Sequence, residues 1–391
     1  WILRFDLIPE TMKTYLILLL IVFLARSVEA QEELSQSSLN PEFLEYLRVR
    51  QAEGDSLIFY GKPTSGVVPS PVMPITNPLP GVKSKSFPSR YDLRDQGWVA
   101  SVKDQGSCKA SYAFSNMSAI ESNWLREGYG SYDLSEDNII HCHNFDIGPC
   151  EGGHPFITAS MLTRGHGPFS ETHDPFVESN DNTCPSGLTP LSYISDIWWG
   201  DTEISSIKQA IQDFGAISAL IYFYPDFYHS DDHTYCYDGS AADGAYRYVT
   251  IAGWDDEKVT GADDPGAWII KDSRGEAWGE AGYFYMSYYD YSGIKNTVFF
   301  PKRLDYDSTR IISGYDELGW ITNVGYAGYI NDEIAYVIVK FVPDVDVFIK
   351  SVGTYAVASG SSIDISIYDD FDGDTDCADN DCLGETCDTG K

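Results

Sequence analysis

Eight cysteines, seven histidines and an aspartate-rich C-terminal end are the chemistry-bearing residues of this 391-residue chain. The cysteines are Cys108, Cys142, Cys150, Cys184, Cys236, Cys377, Cys382 and Cys387. A thiolate is a nucleophile or a metal ligand, whereas in an oxidising compartment paired thiols become disulfides. The segment Asp104–Ser115, DQGSCKASYAFS, sets a Gln, a Gly, a Cys and then small and aromatic residues ahead of a helical pattern. The histidines, at 141, 143, 154, 166, 173, 229 and 233, are the residues suited to serve as a base near neutral pH. Asp370, Asp372, Asp374, Asp376, Asp379 and Asp381 recur at short spacing around Gly373, a set that suits calcium. The closing Glu of an EF-hand loop is missing and the Gly is displaced, so it is not that motif. A solvated acidic linker is the competing reading of the tail. Zinc is disfavoured there, because no His is near.

These residues need elements to position them. Ala110–Arg126 reads as a helix with Ala113, Phe114, Met117, Ile120 and Trp124 on one face, and Glu203–Phe214 as a second amphipathic helix. Strand-like runs follow at Ala216–Tyr224, Tyr246–Ala252, Ala267–Ile270, Gly282–Tyr289 and Thr297–Phe300. Helices first and strands later predict an α+β domain with two lobes over residues 88–303. Residues 304–369 carry three more strand-like runs between Gly, Asn and Asp turns and read as a small all-β domain. Residues 370–391 are the acidic, Cys-containing tail.

The N-terminal part sets the compartment. Lys13 precedes the apolar run Tyr15–Ala25, and Val28-Glu29-Ala30 fits a small-x-small cleavage site. Residues 1–30 therefore read as upstream residues plus a signal peptide cut after Ala30, with Met12 at the natural start. The run is shorter than the roughly 20 residues a membrane span needs. The expected product is secreted, has no membrane span after signal removal, and can keep disulfides. Residues 31–87 look like a leader, with one short helix at Pro41–Ala52 and then a Pro/Gly/Ser-rich extended stretch, Gly61–Ser86.

The segment around Cys108 and Ser111 resembles the papain family of cysteine peptidases, whose pattern is Q-G-x-C-G-S-C-W-A-F-S. Leu134-Ser135-Glu136, Cys142 and Cys150-Glu151-Gly152-Gly153 continue the match. Tyr246–Trp254 (YRYVTIAGW) resembles the family's H-A-V-x-x-V-G-Y strand, and Ile269–Tyr283 (IIKDSRGEAWGEAGY) its I-x-K-N-S-W-G segment. The resemblance implies a two-lobed fold, with a helical left lobe and a β-barrel-like right lobe. It also pairs Cys108 with Cys150 and Cys142 with Cys184, where sequence alone leaves three pairings of those four open. Cys236 lacks an evident partner before the tail. Residues 304–369, with Gly314-Tyr315-Asp316 and Leu318-Gly319-Trp320, resemble the lectin-like domain that follows some microbial papain-like domains.

Carried over residue by residue, the family's nucleophilic Cys falls on Ser111, its general-base His on Arg247 and its orienting Asn on Asp272. The Trp that shields the His–Asn pair falls on Arg274. The oxyanion-hole Gln is retained as Gln105 and a later Trp as Trp278. From Ser111 to Arg247 is 247 − 111 = 136 residues, within the roughly 130–150 this family spans. The resemblance further places Lys109, Tyr112, Gly152, Gly153 and His154 along the substrate groove.

The replacements remove the chemistry. A serine hydroxyl needs a neutral base within hydrogen-bond reach. Arg247 stays protonated and is no such base. Arg247 and Asp272 are instead expected to face each other as a charge-assisted pair. The resulting expectation is a secreted, proteolytically inactive member of a cysteine-type peptidase family. It would hold a peptide or protein ligand in its groove and need no cofactor in that domain. Two alternatives stand beside it: adhesion or glycan binding through the β domain, and an atypical active peptidase using Ser111. The net charge is −33, which argues against a nucleic-acid partner. Residues 364–391 hold ten acids and one Lys. The groove positions 109, 247 and 274, by contrast, are all cationic, which points to an acidic peptide.

Overall fold

The structure is a computed structural model that describes residues 40–53, 66–71, 76, 86–181, 183–240 and 244–308, with the backbone of 34–36, 58–59, 62–63 and 324–326. The segment read as a signal peptide, almost all of the segment read as a β domain and the whole acidic tail with its calcium candidates lie outside the described residues. Among the described residues no helix is long and apolar enough to cross a membrane.

Five α-helices are described: α1 (Pro41–Glu53), α2 (Ser111–Arg126), α3 (Glu136–His141), α4 (Pro155–Thr163) and α5 (Ile204–Phe214). Nine strands form one sheet: β1 (Arg90–Asp92), β2 (Ser192–Gly200), β3 (Ile217–Phe223), β4 (Tyr228–His229), β5 (Thr234–Tyr235), β6 (Ala245–Asp255), β7 (Ala267–Lys271), β8 (Tyr283–Ser287) and β9 (Asn296–Asp305). Their order is β2-β9-β3-β6-β7-β8-β5-β4, with β1 added to β6. The helices α2, α3 and α4 pack on one another, and α2 also meets β3, β6 and β9. This α+β arrangement is papain-like.

Every residue of α2 from Ser111 to Trp124 is buried. A helix enclosed on all sides must satisfy its polar side chains internally. It does so in part: Glu121 accepts from Leu134 N at 2.9 Å and Asn116 Nδ2 donates to Thr158 Oγ1 at 3.0 Å, whereas the Tyr112 hydroxyl, Asn116 Oδ1 and Glu121 Oε2 have no hydrogen-bond partner among the described residues. Ser115 and Ser218 share a hydrogen bond of 2.8 Å that ties the helix to the sheet. The core around it is large and aromatic, with Trp124, Trp254, Tyr112, Tyr222 and Phe284 fully buried. α5 covers the sheet with an apolar stripe in which Ile207, Ala210 and Ile211 are buried.

Register decides which residues meet. Ile221 of β3 lies opposite Arg247 of β6. On the other side of β6, Thr250 lies opposite Lys271, the last residue of β7. Continuing that register sets Asp272 opposite Val249, so Arg247, two residues along on the same face, is its diagonal neighbour. Diagonal positions of an antiparallel pair lie about 7–8 Å apart, within reach of a long side chain.

Candidate functional site

Ser111 is the first residue of α2, preceded by the N-cap Ala110, which supplies no side-chain cap. The serine is buried, and its hydroxyl oxygen accepts a hydrogen bond from the Tyr248 backbone N–H at 3.1 Å. Tyr248 is the next residue after Arg247 in β6, so the same strand brings the serine and the arginine together.

Arg247 Nη2 donates to Asp272 Oδ1 in a short ion pair. The Arg247 side chain is 10% exposed and that of Asp272 is fully buried. The expected pair thus forms. The Ser273 N–H donates to the same Asp272 oxygen at 2.7 Å, which fixes the carboxylate. Arg274 approaches from the other side, its Nε 3.8 Å from Asp272 Oδ2. Its guanidinium lies over the Phe223 ring at 4.5 Å and the Trp278 ring at 4.7 Å. Two guanidiniums therefore share one carboxylate. Burial, then repulsion from Arg247, pushes the Arg274 guanidinium down to about 10, with Asp272 pulling the other way.

Gln105 is tied on both sides. Its amide nitrogen donates to Cys108 O at 2.6 Å, and its carbonyl oxygen accepts from the Ser273 hydroxyl. Cys108 is bonded to Cys150 and Cys142 to Cys184, the two bridges implied by the resemblance. Cys236 is free among the described residues.

The Gly152–Gly153 edge is occupied by part of the segment that the sequence reads as a leader. Residues 66–71 run along Gly152 and Gly153, with Val67 and Val68 each only 1% exposed. Gly153 N donates to Gly66 O at 2.8 Å, and Val68 N donates to Gly153 O at 3.1 Å. The leader is thus held as an added parallel bridge, Val67 to Gly153. Both glycines are required by close approach. A β-carbon on Gly152, at φ +122°, would come 2.3 Å from Gly66 O, and one on Gly153 would come 2.4 Å from the Tyr112 ring. α1 holds the strap from outside, with Asn40 N donating to Pro71 O at 3.0 Å and Asn40 Nδ2 to Ser70 O at 2.9 Å. Lys109 is exposed beside Gly66.

Two groove assignments are corrected. His154 is 1% exposed, and its ring lies among Phe145 at 5.6 Å and Phe156 at 6.3 Å. It precedes α4 as the N-cap, and its ring is turned into the lobe rather than toward a ligand. Both ring nitrogens lack a partner among the described residues. Burial, with His143 nearby, pushes the imidazole down to about 3. Tyr112 is likewise 1% exposed and lies beneath Gly153 instead of lining the surface.

A charged cluster that the sequence reading missed lies behind the site. Lys103 Nζ meets Asp133 at 2.7 Å, Glu136 at 2.9 Å and Glu121 at 3.3 Å. Lys271 Nζ donates to Ser118 Oγ at 3.0 Å. Burial pushes Glu136 up to about 8 and holds Lys271 below its ordinary range. A small cavity lined by Ser118, Glu121, Glu136, Lys271 and Asp272 joins this cluster to the ion pair. The signal available in sequence was Lys271 itself, a cation ending the apolar run Ala267–Ile270. Among the described residues no group of His, Cys, Asp and Glu could hold a metal ion.

A buried helix beginning at Ser111, flanked by the Cys108–Cys150 bridge and a chain-binding Gly-Gly edge, defines a papain-type groove. The sequence profile of the papain family cysteine proteases matches residues 87–302. The chain belongs to the papain family. It is 29% identical to cathepsin L of Sarcophaga peregrina over 221 residues, 52% of this chain and 59% of that protein. To cathepsin K of Gallus gallus it is 29% identical over 225 residues, 56% of this chain and 65% of that one. The chain thus spans about three fifths of the length of these relatives. The fold is similar to the cysteine protease and lectin-like domains of Cwp84, a surface layer associated protein of Clostridium difficile. That comparison has a TM-score of 0.60 at 23% identity, covering 70% of this chain and 62% of the other.

Proposed function

We propose that this chain is a secreted papain-family pseudopeptidase that holds a peptide or a partner segment in its groove without cutting it. The observation that carries the reading is the Arg247–Asp272 ion pair beside Ser111. A papain-type site needs a thiolate beside an imidazolium. Here the hydroxyl is met by a backbone N–H, and the position of the family's base holds a guanidinium already paired with Asp272, so neither accepts its proton. A helix N-terminus contributes at most a few kcal/mol, too little to form an alkoxide at neutral pH. The histidine nearest in sequence to the Gly152–Gly153 edge is His154, whose ring is buried among aromatics. The capacity to bind is supported by the leader, whose backbone already pairs with Gly153. Secretion is supported by the two disulfides, which persist outside the cytosol.

The test is a back-substitution. Wild type and the triple variant Ser111→Cys, Arg247→His, Asp272→Asn are assayed on a mixed peptide library. The reading expects turnover by the triple variant and none by wild type; cleavage by wild type overturns it. A second reading, glycan binding through residues 304–369, rests on the resemblance of those residues to a lectin-like domain, a domain that the Cwp84 structure contains beside its cysteine protease domain. Binding of the full chain to a glycan array, abolished by deleting residues 304–369, would favour it.

A further inference from the structure

Three cations mark the groove, and the structure separates them. Arg247 is neutralised by Asp272. Lys109 is exposed and has a strongly hydrated, compact charge on a flexible stem. Arg274 is different. Its faces rest on Phe223 and Trp278, and its closest acidic oxygen, Asp272 Oδ2, is 3.8 Å away, beyond hydrogen-bond length. Among the described residues its guanidinium makes no hydrogen bond. The side chain is 29% exposed while its guanidinium carbon lies over two aromatic rings.

We propose that Arg274 is the receptor for a carboxylate on the groove's ligand, which rests on the peptide-binding reading above. A planar fork held by its faces loses little rotamer freedom on binding and presents parallel N–H donors at the spacing of a carboxylate. Asp272 gives its Oδ1 to Arg247 and to the Ser273 N–H, and its Oδ2 stays 3.8 Å from Arg274 Nε without a hydrogen bond. The two guanidiniums and the one carboxylate therefore keep about one net positive charge between them, in a chain whose overall charge is −33. The depressed Arg274 guanidinium, at about 10, has the same origin, burial and the like charge of Arg247, and an incoming anion relieves both. Trp278 is itself stacked on Tyr228 at 5.0 Å, which gives the carboxylate-bearing residue an aromatic wall. The carboxylate is either a peptide's free C-terminus or an Asp or Glu side chain.

The experiment uses the full chain, immobilised, with acetylated heptapeptide libraries in three forms: free C-terminus without acidic residues, amidated without acidic residues, and amidated with one Glu. The expected result is retention of a carboxylate form about tenfold or more over the neutral form, as one charge-assisted contact supplies. The form retained identifies the source. Arg274→Gln removes the preference and leaves the weaker neutral binding, Arg274→Lys restores part of it, and added salt reduces it in wild type. Thermal melts of both variants within a few degrees of wild type show that folding is not the cause. Equal retention of all three forms, or a preference that survives Arg274→Gln, overturns the carboxylate inference and leaves the groove-binding reading standing. Retention of no peptide in any form, both before and after limited proteolysis has removed residues 66–71 from the Gly152–Gly153 edge, overturns both.

Discussion

Asp272→Asn removes one charge from the site and almost nothing else. The amide is isosteric and still accepts from the Ser273 N–H, so the change reports the ion pair. The Asp272 side chain is fully buried and that of Arg247 only 10% exposed, which leaves the guanidinium little access to water. Breaking a buried pair by removing one partner costs about 3–5 kcal/mol. The retained amide acceptor argues for the lower end, whereas the newly unopposed Arg247 and Arg274 argue for the upper. We expect about 3 kcal/mol, which for a domain of about 200 residues lowers the melting temperature by about 6–12 °C. Arg247→Gln should cost only about 1–2 kcal/mol, because Asp272 keeps the Ser273 N–H and Arg274. The double variant should then resemble Arg247→Gln alone, giving a coupling energy of about 2–3 kcal/mol. A thermal or denaturant double-mutant cycle measures this. Single-variant costs that add to within about 0.5 kcal/mol would refute the claim that the two groups form one buried unit.

Gly66→Ala acts on the leader alone: the new methyl group would lie 2.3 Å from Lys109 Cβ, at φ +91°. Limited proteolysis should therefore cut the leader of the variant faster than that of wild type, with little change in the domain's melting temperature. Acid should destabilise the fold through His154 and His143. Burial, with His143 near His154 and His141 near His143, holds His154 down to about 3 and His143 down to about 4, below the unfolded value of 6.5. The unfolded chain then binds more protons below pH 6.5, so stability is lost as pH falls through the window from 6.5 to 4, by about 1.4 kcal/mol per pH unit for each ring. His154→Leu should flatten that slope in denaturant melts taken at pH 7, 6, 5 and 4.

How much was legible depended on the range of the interaction. The helix of Ser111, the strand of Arg247 and the strand that Asp272 follows were readable because each carries a local apolar pattern and a motif at family spacing. The Arg247–Asp272 contact followed from those two strands lying side by side. Ser192–Gly200 was not assigned as a strand: its burial does not alternate cleanly, with Ser192–Ile194 buried together. His154 was misassigned because Gly152-Gly153 correctly marks the chain-binding edge, but the backbone turns into α4 at the next residue and carries the ring inward. The docking of residues 66–71 was not legible. A Pro-rich run announces an extended backbone without saying what it pairs with. The Lys103 cluster joins residues far apart in sequence, and only the packed fold brings Glu121, Asp133 and Glu136 around one ammonium.

The most direct test of the central claim compares wild type with Ser111→Ala on a proteome-derived peptide library, with new N-termini counted by mass spectrometry. A pseudopeptidase gives no new N-termini in either sample. New N-termini produced by wild type and lost in Ser111→Ala would show that Ser111 is a working nucleophile and contradict the proposal.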